Sequence, residues 1–182
     1  MSRRTIRQGI VSRLQASAAV TTLVASASIT DSRVAVIAQS GLPAINVWIS
    51  RTRRSSISAH VPAFRVTHEI AIDCFGTGAD AADVAENIDL IAESVLSALL
   101  TSAVWVASFE RVGDASEEVI LDSATREARQ GLVRIDFEVQ ITEQYDPAAA
   151  DLGSFDGVDL EVDFVAPDGT IEAEINVELD GA

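Results

Sequence analysis

The side chains best suited to catalysis or metal binding are His60, His68 and Cys74, and their spacing supports neither. They are the chain's two histidines and its one cysteine, and no Cys/His cluster has the short spacings that hold zinc. His68 falls on the apolar face of an alternating stretch, where a hydrogen-bonded core histidine is the commoner outcome. Cys74, on the same face, reads as a small buried hydrophobe and leaves no partner for a disulfide within the chain. Gly76-Thr77-Gly78 precedes a helical stretch but lacks the third glycine and the lysine of a phosphate-cradling loop. No Gly-x-Ser-x-Gly elbow brings a serine to a base. The carboxylates between Asp159 and Glu178 alternate along strands instead of closing an oxygen-rich loop, which argues against calcium. These residues predict a protein that is not an enzyme and uses no metal or cofactor.

What the sequence offers instead is charged surface. Residues 1–65 carry about +8, residues 66–134 carry −9, and residues 135–182 carry −14 with no basic residue. A domain at −15 overall repels nucleic-acid phosphate, so nucleic acid is not its main partner. Arg51, Arg53 and Arg54, in the basic stretch 51–63, form a candidate contact for an anionic surface; the plainer reading is a solvated hairpin tip whose charge protects a sheet edge. Trp48 lies on the face opposite Ile45, Val47 and Ile49, where an indole in open solvent is unusual, and is a candidate interface residue. Glu172, Glu174 and Glu178 line the acidic face of a C-terminal hairpin. Like charges facing each other across strands cost roughly 0.2–1 kcal/mol per pair, so that face needs open solvent or a positive partner.

The elements that position these groups follow from periodicity. Phe64, Val66, His68, Ile70, Ile72 and Cys74 alternate with Arg65, Thr67, Glu69, Ala71 and Asp73, the period-two pattern of a strand with one buried face. After the glycine turn, Asp80 is placed to cap a helix, and Val84, Ile88, Ile91, Ala92, Val95 and Leu99 recur at steps of three and four. A second alternating strand opens at Gly131, with Val133, Ile135, Phe137, Val139 and Ile141 on its apolar face. The two strands are expected to pair antiparallel, with the helix over their apolar faces. Shorter elements are expected as a helix at Val20–Leu23, a turn at Ser28–Asp31, and strands at Arg33–Ala38 and Ala44–Ser50. Farther on come a segment from Val104 to Val112, a loop at Gly113–Ser116, a strand at Glu118–Leu121 and a polar loop at Asp122–Gln130. Pro147 and the following alanines mark a boundary between residues 1–146 and an acidic hairpin at 147–182. The predicted class is α+β: a mainly antiparallel or mixed sheet packed by one long helix and an N-terminal helix, with the hairpin appended.

The N-terminus bears on location. Ser2-Arg3-Arg4-Thr5-Ile6 has the look of a twin-arginine export signal, but Arg7, Arg13 and Gln15 interrupt the apolar run such a signal requires. Ile6, Ile10, Leu14 and Ala18 step by four, which predicts an amphipathic helix and a cytoplasmic protein. No run approaches the ~20 apolar residues of a membrane span.

This order of elements resembles the tail terminator and tail-completion proteins of long-tailed bacteriophages, together with their neck-protein relatives. The residues that carry it are Ala19-Val20-Thr21-Thr22-Leu23-Val24 and Gly41-Leu42-Pro43-Ala44-Ile45-Asn46-Val47. Further on they are Ile70-Ala71-Ile72-Asp73-Cys74-Phe75, the helix Ala81–Leu100, and Val133-Arg134-Ile135-Asp136-Phe137-Glu138-Val139. The resemblance covers residues 1–146 and implies a virion structural protein, assembled in the host cytoplasm, that forms a ring, typically a hexamer. Such a ring would sit on the last tube ring, stop tube polymerisation and offer a face to the head connector. The implied partners are further copies of the chain, the tail tube protein and the connector or neck protein, with no membrane. A head–tail completion protein, an adaptor ring of another phage-tail-like machine and an exported binding module are the alternatives. Two readings of the arginines follow: contact with the acidic face of the Leu160–Val177 hairpin, within the ring or on an adjacent ring, or a lumen-facing loop near DNA.

Overall fold

The alternation from Val66 to Cys74 becomes the central strand of a five-stranded sheet in the computed structural model, which describes residues 2–31, 41–58, 61–121, 130–145, 158–162 and 173–177. The chain forms two units, Met1–Gln144 and Tyr145–Ala182. In the first, strands β1 (Ile29–Asp31), β2 (Ala44–Ser56), β3 (Ala63–Thr77), β4 (Arg111–Leu121) and β5 (Gln130–Gln144) lie in the order β1-β2-β3-β5-β4. Only β1 runs parallel to its neighbour; β2–β3, β3–β5 and β5–β4 are antiparallel. The long strands pair along their whole lengths, from Ala63 opposite Gln144 to Thr77 opposite Gln130.

Helices α1 (Arg3–Ala16), α2 (Ala18–Leu23), α3 (Ala81–Leu100) and α4 (Ala103–Val106) complete the unit. Asp80 caps α3, its Oδ1 accepting from the backbone N–H groups of Ala82 and Asp83 at 2.9 and 3.0 Å. The buried residues of α3 are the six of the predicted stripe, Val84, Ile88, Ile91, Ala92, Val95 and Leu99. Burying an aliphatic side chain of that size contributes roughly 1.5–3 kcal/mol, so the stripe docks the helix on the sheet. From Ile88 to Leu99 it joins one core with Ile6, Ile10 and Leu14 of α1 and with the inward strand residues Ile45, Val47, Ile70, Ile72, Val133 and Ile135. The class is therefore α+β, with the helices packed against a mixed sheet. No helix among the described residues is long and apolar enough to cross a membrane.

Several local expectations are corrected. The N-terminal stripe ends at Leu14, because Ser17 breaks the chain into α1 and α2 and places Ala18 at the start of the second helix. Ile29–Asp31, expected as part of a turn, pairs with Ile45–Val47 as the edge strand β1. The basic stretch expected as a loop from Arg51 is strand as far as Ser56. Its polar residues carry no apolar signal, and its conformation is fixed by pairing with Phe64–Glu69. Ala103–Val106 is a helical turn, with Trp105 and Phe109 edge to face at 4.9 Å. Gly113–Ser116 is a bulged part of the continuous strand β4, not a loop. The expected strand at 33–38 and nearly all of the loop at 122–130 lie outside the described residues.

In the second unit, β6 (Val158–Val162) pairs antiparallel with β7 (Ala173–Val177), with Leu160 opposite Ile175.

Candidate functional site: the outer face of the sheet

The inward face of the sheet is filled by helices; among the described residues of the first unit, no element covers the outward face. Strand register arranges that face in rows running across the sheet. One row is apolar: Ala44, Phe75, Leu132 and Ile120. The next holds Asn46, Asp73, Arg134 and Glu118, followed by Trp48, Ala71, Asp136 and Ser116. Beyond these, Arg51, Glu69 and Glu138 form a charged row, and then come Thr67, Gln140, Arg111 and Arg53. The last row ends on Ser55, Arg65 and Thr142. The outer face therefore passes from apolar, through carboxylate-rich, to arginine-rich along the strand direction.

Trp48 is tied down within this face. Its Nε1 donates to Asp73 Oδ2 at 3.1 Å, and Arg134 donates from Nε to Asp73 Oδ1 at 2.7 Å while its guanidinium carbon stands 5.3 Å from the indole centroid. The hydrogen bond to Asp73 raises the pKa of Arg134 above its ordinary value, against the opposing effect of burial. Ala71, on the same face, is fully buried. Arginine stacked over tryptophan in a fixed orientation presents a preorganised, half-buried platform, the composition enriched where proteins bind one another.

The three arginines of the basic stretch do not act together. A bulge between Ile49 and Arg51 shifts the alternation, so Arg51 and Arg53 project on the outer face and Arg54 on the opposite one. Arg53 bridges two carboxylates that face each other across β3 and β5, reaching Glu69 at 2.7 Å and Glu138 at 3.0 Å. Arg54 pairs with Glu143 at 3.4 Å. Arg51 is exposed with no such partner among the described residues. Of the acidic hairpin candidates, Glu172 and Glu178 lie outside the described residues, and Glu174 stands opposite Glu161 in the β6–β7 register.

Sequence reasoning missed the concavity in this face. A second bulge, between Val112 and Ala115 of β4, sets Gly113 and Asp114 against Glu138, just as Ser50 and Arg51 are set against Glu69 on the other side. The two bulges at one level open a cleft of about 410 Å³ lined by residues that include Ser50, Glu69, Arg111, Asp114, Asp136 and Glu138. Gly113 fits because a side chain there would press on Glu138, with a Cβ only 3.2 Å from the Glu138 Cβ. Burial raises the pKa of Asp136, and Asp73, Glu118 and Glu69 add to the rise against the nearby charge of Arg134. The signal was present in Gly113-Asp114, which reads as loop chemistry in isolation and as a bulge only once β5 is alongside.

The histidine and cysteine sit in the core. His68 is fully buried, with Nδ1 2.9 Å from the Thr52 hydroxyl and Nε2 lacking a hydrogen-bond partner. Burial pushes the pKa of His68 down, only partly offset by Glu143. Cys74 is fully buried and its thiol pKa is driven up by burial. Among the described residues no group of three or more His, Cys, Asp or Glu is placed to hold a metal ion.

No protein-family model matches the chain, and no curated protein matches it in sequence. Among solved structures it is similar to a chain of one described as the virion of a native gene transfer agent (GTA) particle. The identity is 14% and the TM-score 0.47, over 75% of this chain and 94% of that chain. At that TM-score the likeness carries no functional weight.

Proposed function

We propose that the chain is a structural protein of a phage-like tail, acting as a ring of identical copies that caps the tube and halts its polymerisation. The observation that carries this reading is the outer face of the sheet, which no element covers among the described residues of the first unit. Its rows are graded in charge, its tryptophan is hydrogen-bonded to the carboxylate of an ion pair, and two bulges at one level shape a polar cleft. A face built this way suits contact with other protein surfaces, where charge complementarity fixes register and partner choice. The residues that resemble tail terminators supply the specific assembly. Among them, Ile70–Phe75 of β3, the helix Ala81–Leu100 and Val133–Val139 of β5 build the framework of this face. On this reading the protein performs no catalysis, and its other partners are the tube protein and a connector.

The test is to add purified protein to polymerising tube protein and measure tube lengths by electron microscopy. Capping predicts shorter tubes, in proportion to the protein added, with additional density at one end. Tubes of unchanged length without end density would refute the proposal.

A further inference from the structure

We propose that copies of the chain join through the helical side of the first unit, with Leu100 and Val104 of one copy entering a small-residue cleft between α1, α2 and α3 of the next. This rests on the ring reading above and names the surface that closes the ring.

Charge is missing from this side of the molecule. Residues 14–30 and 94–109 contain no acidic or basic side chain, although charged residues make up 23% of the chain. The fold brings the two runs together, packing the end of α1 and the start of α2 beside the second half of α3. Between them lies a cleft of about 230 Å³, with Ala16, Ser17 and Ala19 on one side and Ser94, Ser97 and Ala98 on the other. Its lining includes one charged residue, Arg13, whose Nε donates to the backbone carbonyl of Ala98 at 3.0 Å.

The same runs expose apolar side chains that such a cleft accepts. Val104 is 86% exposed and Leu100 44%, although Trp105 and Leu99 beside them are buried. Neither Leu100 nor Val104 lines the cleft of its own subunit. At 3.6 residues per turn, Leu100 points roughly 100° round α3 from Thr101, which does line it. Cleft and apolar projection are therefore different patches, and a contact between them is heterologous. Such contacts generate rings when the rotation closes.

Charge also identifies the partner as a second copy. Each chain carries −15, so two copies repel wherever their carboxylates face one another within about 8 Å at physiological salt. The neutral runs let like-charged subunits close up without bringing acids together. A cationic partner would find no carboxylate in the cleft to pair with.

The test uses the full-length chain, read by native mass spectrometry and by sedimentation at several salt concentrations. Val104→Ser should raise the dissociation constant between copies by about tenfold or more, as loss of an apolar anchor does. Val104→Asp and Ser97→Arg, both at exposed positions, should each weaken assembly. Together they should restore it, because the new charges pair across the contact. Val119→Ser, which removes a side chain 55% exposed on β4, should leave assembly unchanged. Raising salt should leave wild-type assembly as strong or stronger. Val104 and Ser97 variants that assemble like wild type, even if they no longer bind tube ends, would overturn this contact while leaving the ring standing. So would a double variant no better than the singles, a Val119→Ser variant as impaired as Val104→Ser, or wild-type assembly that weakens as salt rises. A wild type that stays monomeric at every concentration would overturn both the contact and the ring.

Discussion

Replacing Arg134 by Met probes whether the outer face is preorganised or merely exposed. Arg134 supplies one of the two side-chain hydrogen bonds that Asp73 accepts and lies over Trp48, so the substitution removes a short charge-assisted bond and a cation–π contact together. Bonds to charged groups are worth about 1.5–3 kcal/mol, and an exposed cation–π contact about 0.5–1 kcal/mol. The Asp73 side chain is 10% exposed and that of Arg134 31%. Solvent therefore screens part of the pair, which places the expected loss near ~2 kcal/mol. For a chain of this size that corresponds to a fall in Tm of roughly 4–8 °C. Urea denaturation of wild type, Arg134→Met, Asp73→Asn and the double variant would give the coupling energy directly. A coupling of about 1 kcal/mol or more is expected, together with a change in Trp48 fluorescence. Coupling near zero, with Arg134→Met as stable as wild type, would refute the picture of a held platform.

Other consequences concern the core and the cleft. Gly78→Ala should destabilise by about 1–3 kcal/mol, since its Cβ would stand 2.5 Å from the backbone nitrogen of Val84 in α3. Gly76→Ala, which meets chiefly the Ile88 side chain, should cost less; equal urea midpoints for the two would contradict this. His68 has a folded pKa below the ordinary 6.5, so the unfolded chain binds its proton first as pH falls. Stability from this residue is complete above that value and declines as pH drops below it. His68→Leu should flatten the profile between pH 7 and pH 5, and an unchanged slope would count against the assignment. Asp136 has the opposite sign: its folded pKa lies above 3.8, so its ionised form costs stability at neutral pH. Asp136→Asn should raise the melting temperature at pH 7, with the gain disappearing as pH falls toward 3.8.

The sequence disclosed the parts of this fold whose period is enforced by burial. The α3 stripe, the inward faces of β3 and β5 and the Asp80 cap were legible because apolar spacing and one carboxylate determine them locally. The outer strands were less so. Arg51–Ser56 and Gly113–Ser116 contain no apolar alternation, and their strand conformation comes from neighbours far away in sequence. The short edge strand Ile29–Asp31 depends likewise on pairing with β2. Trp48 was recognisable as an indole on the wrong face for solvent, but not the partners that hold it, because Asp73 and Arg134 are 25 and 61 residues apart from their respective donors and acceptors in this cluster. The cleft was illegible for a related reason. It arises only where bulges in β2 and β4 fall at the same level of a sheet in which β3 and β5 separate them.

Native mass spectrometry of the wild-type chain, alone and mixed with tube protein, tests the central claim most directly. A closed ring of several identical copies, which then adds as one unit to the end of a tube, is the predicted result. A species that remains a single subunit under both conditions would contradict it.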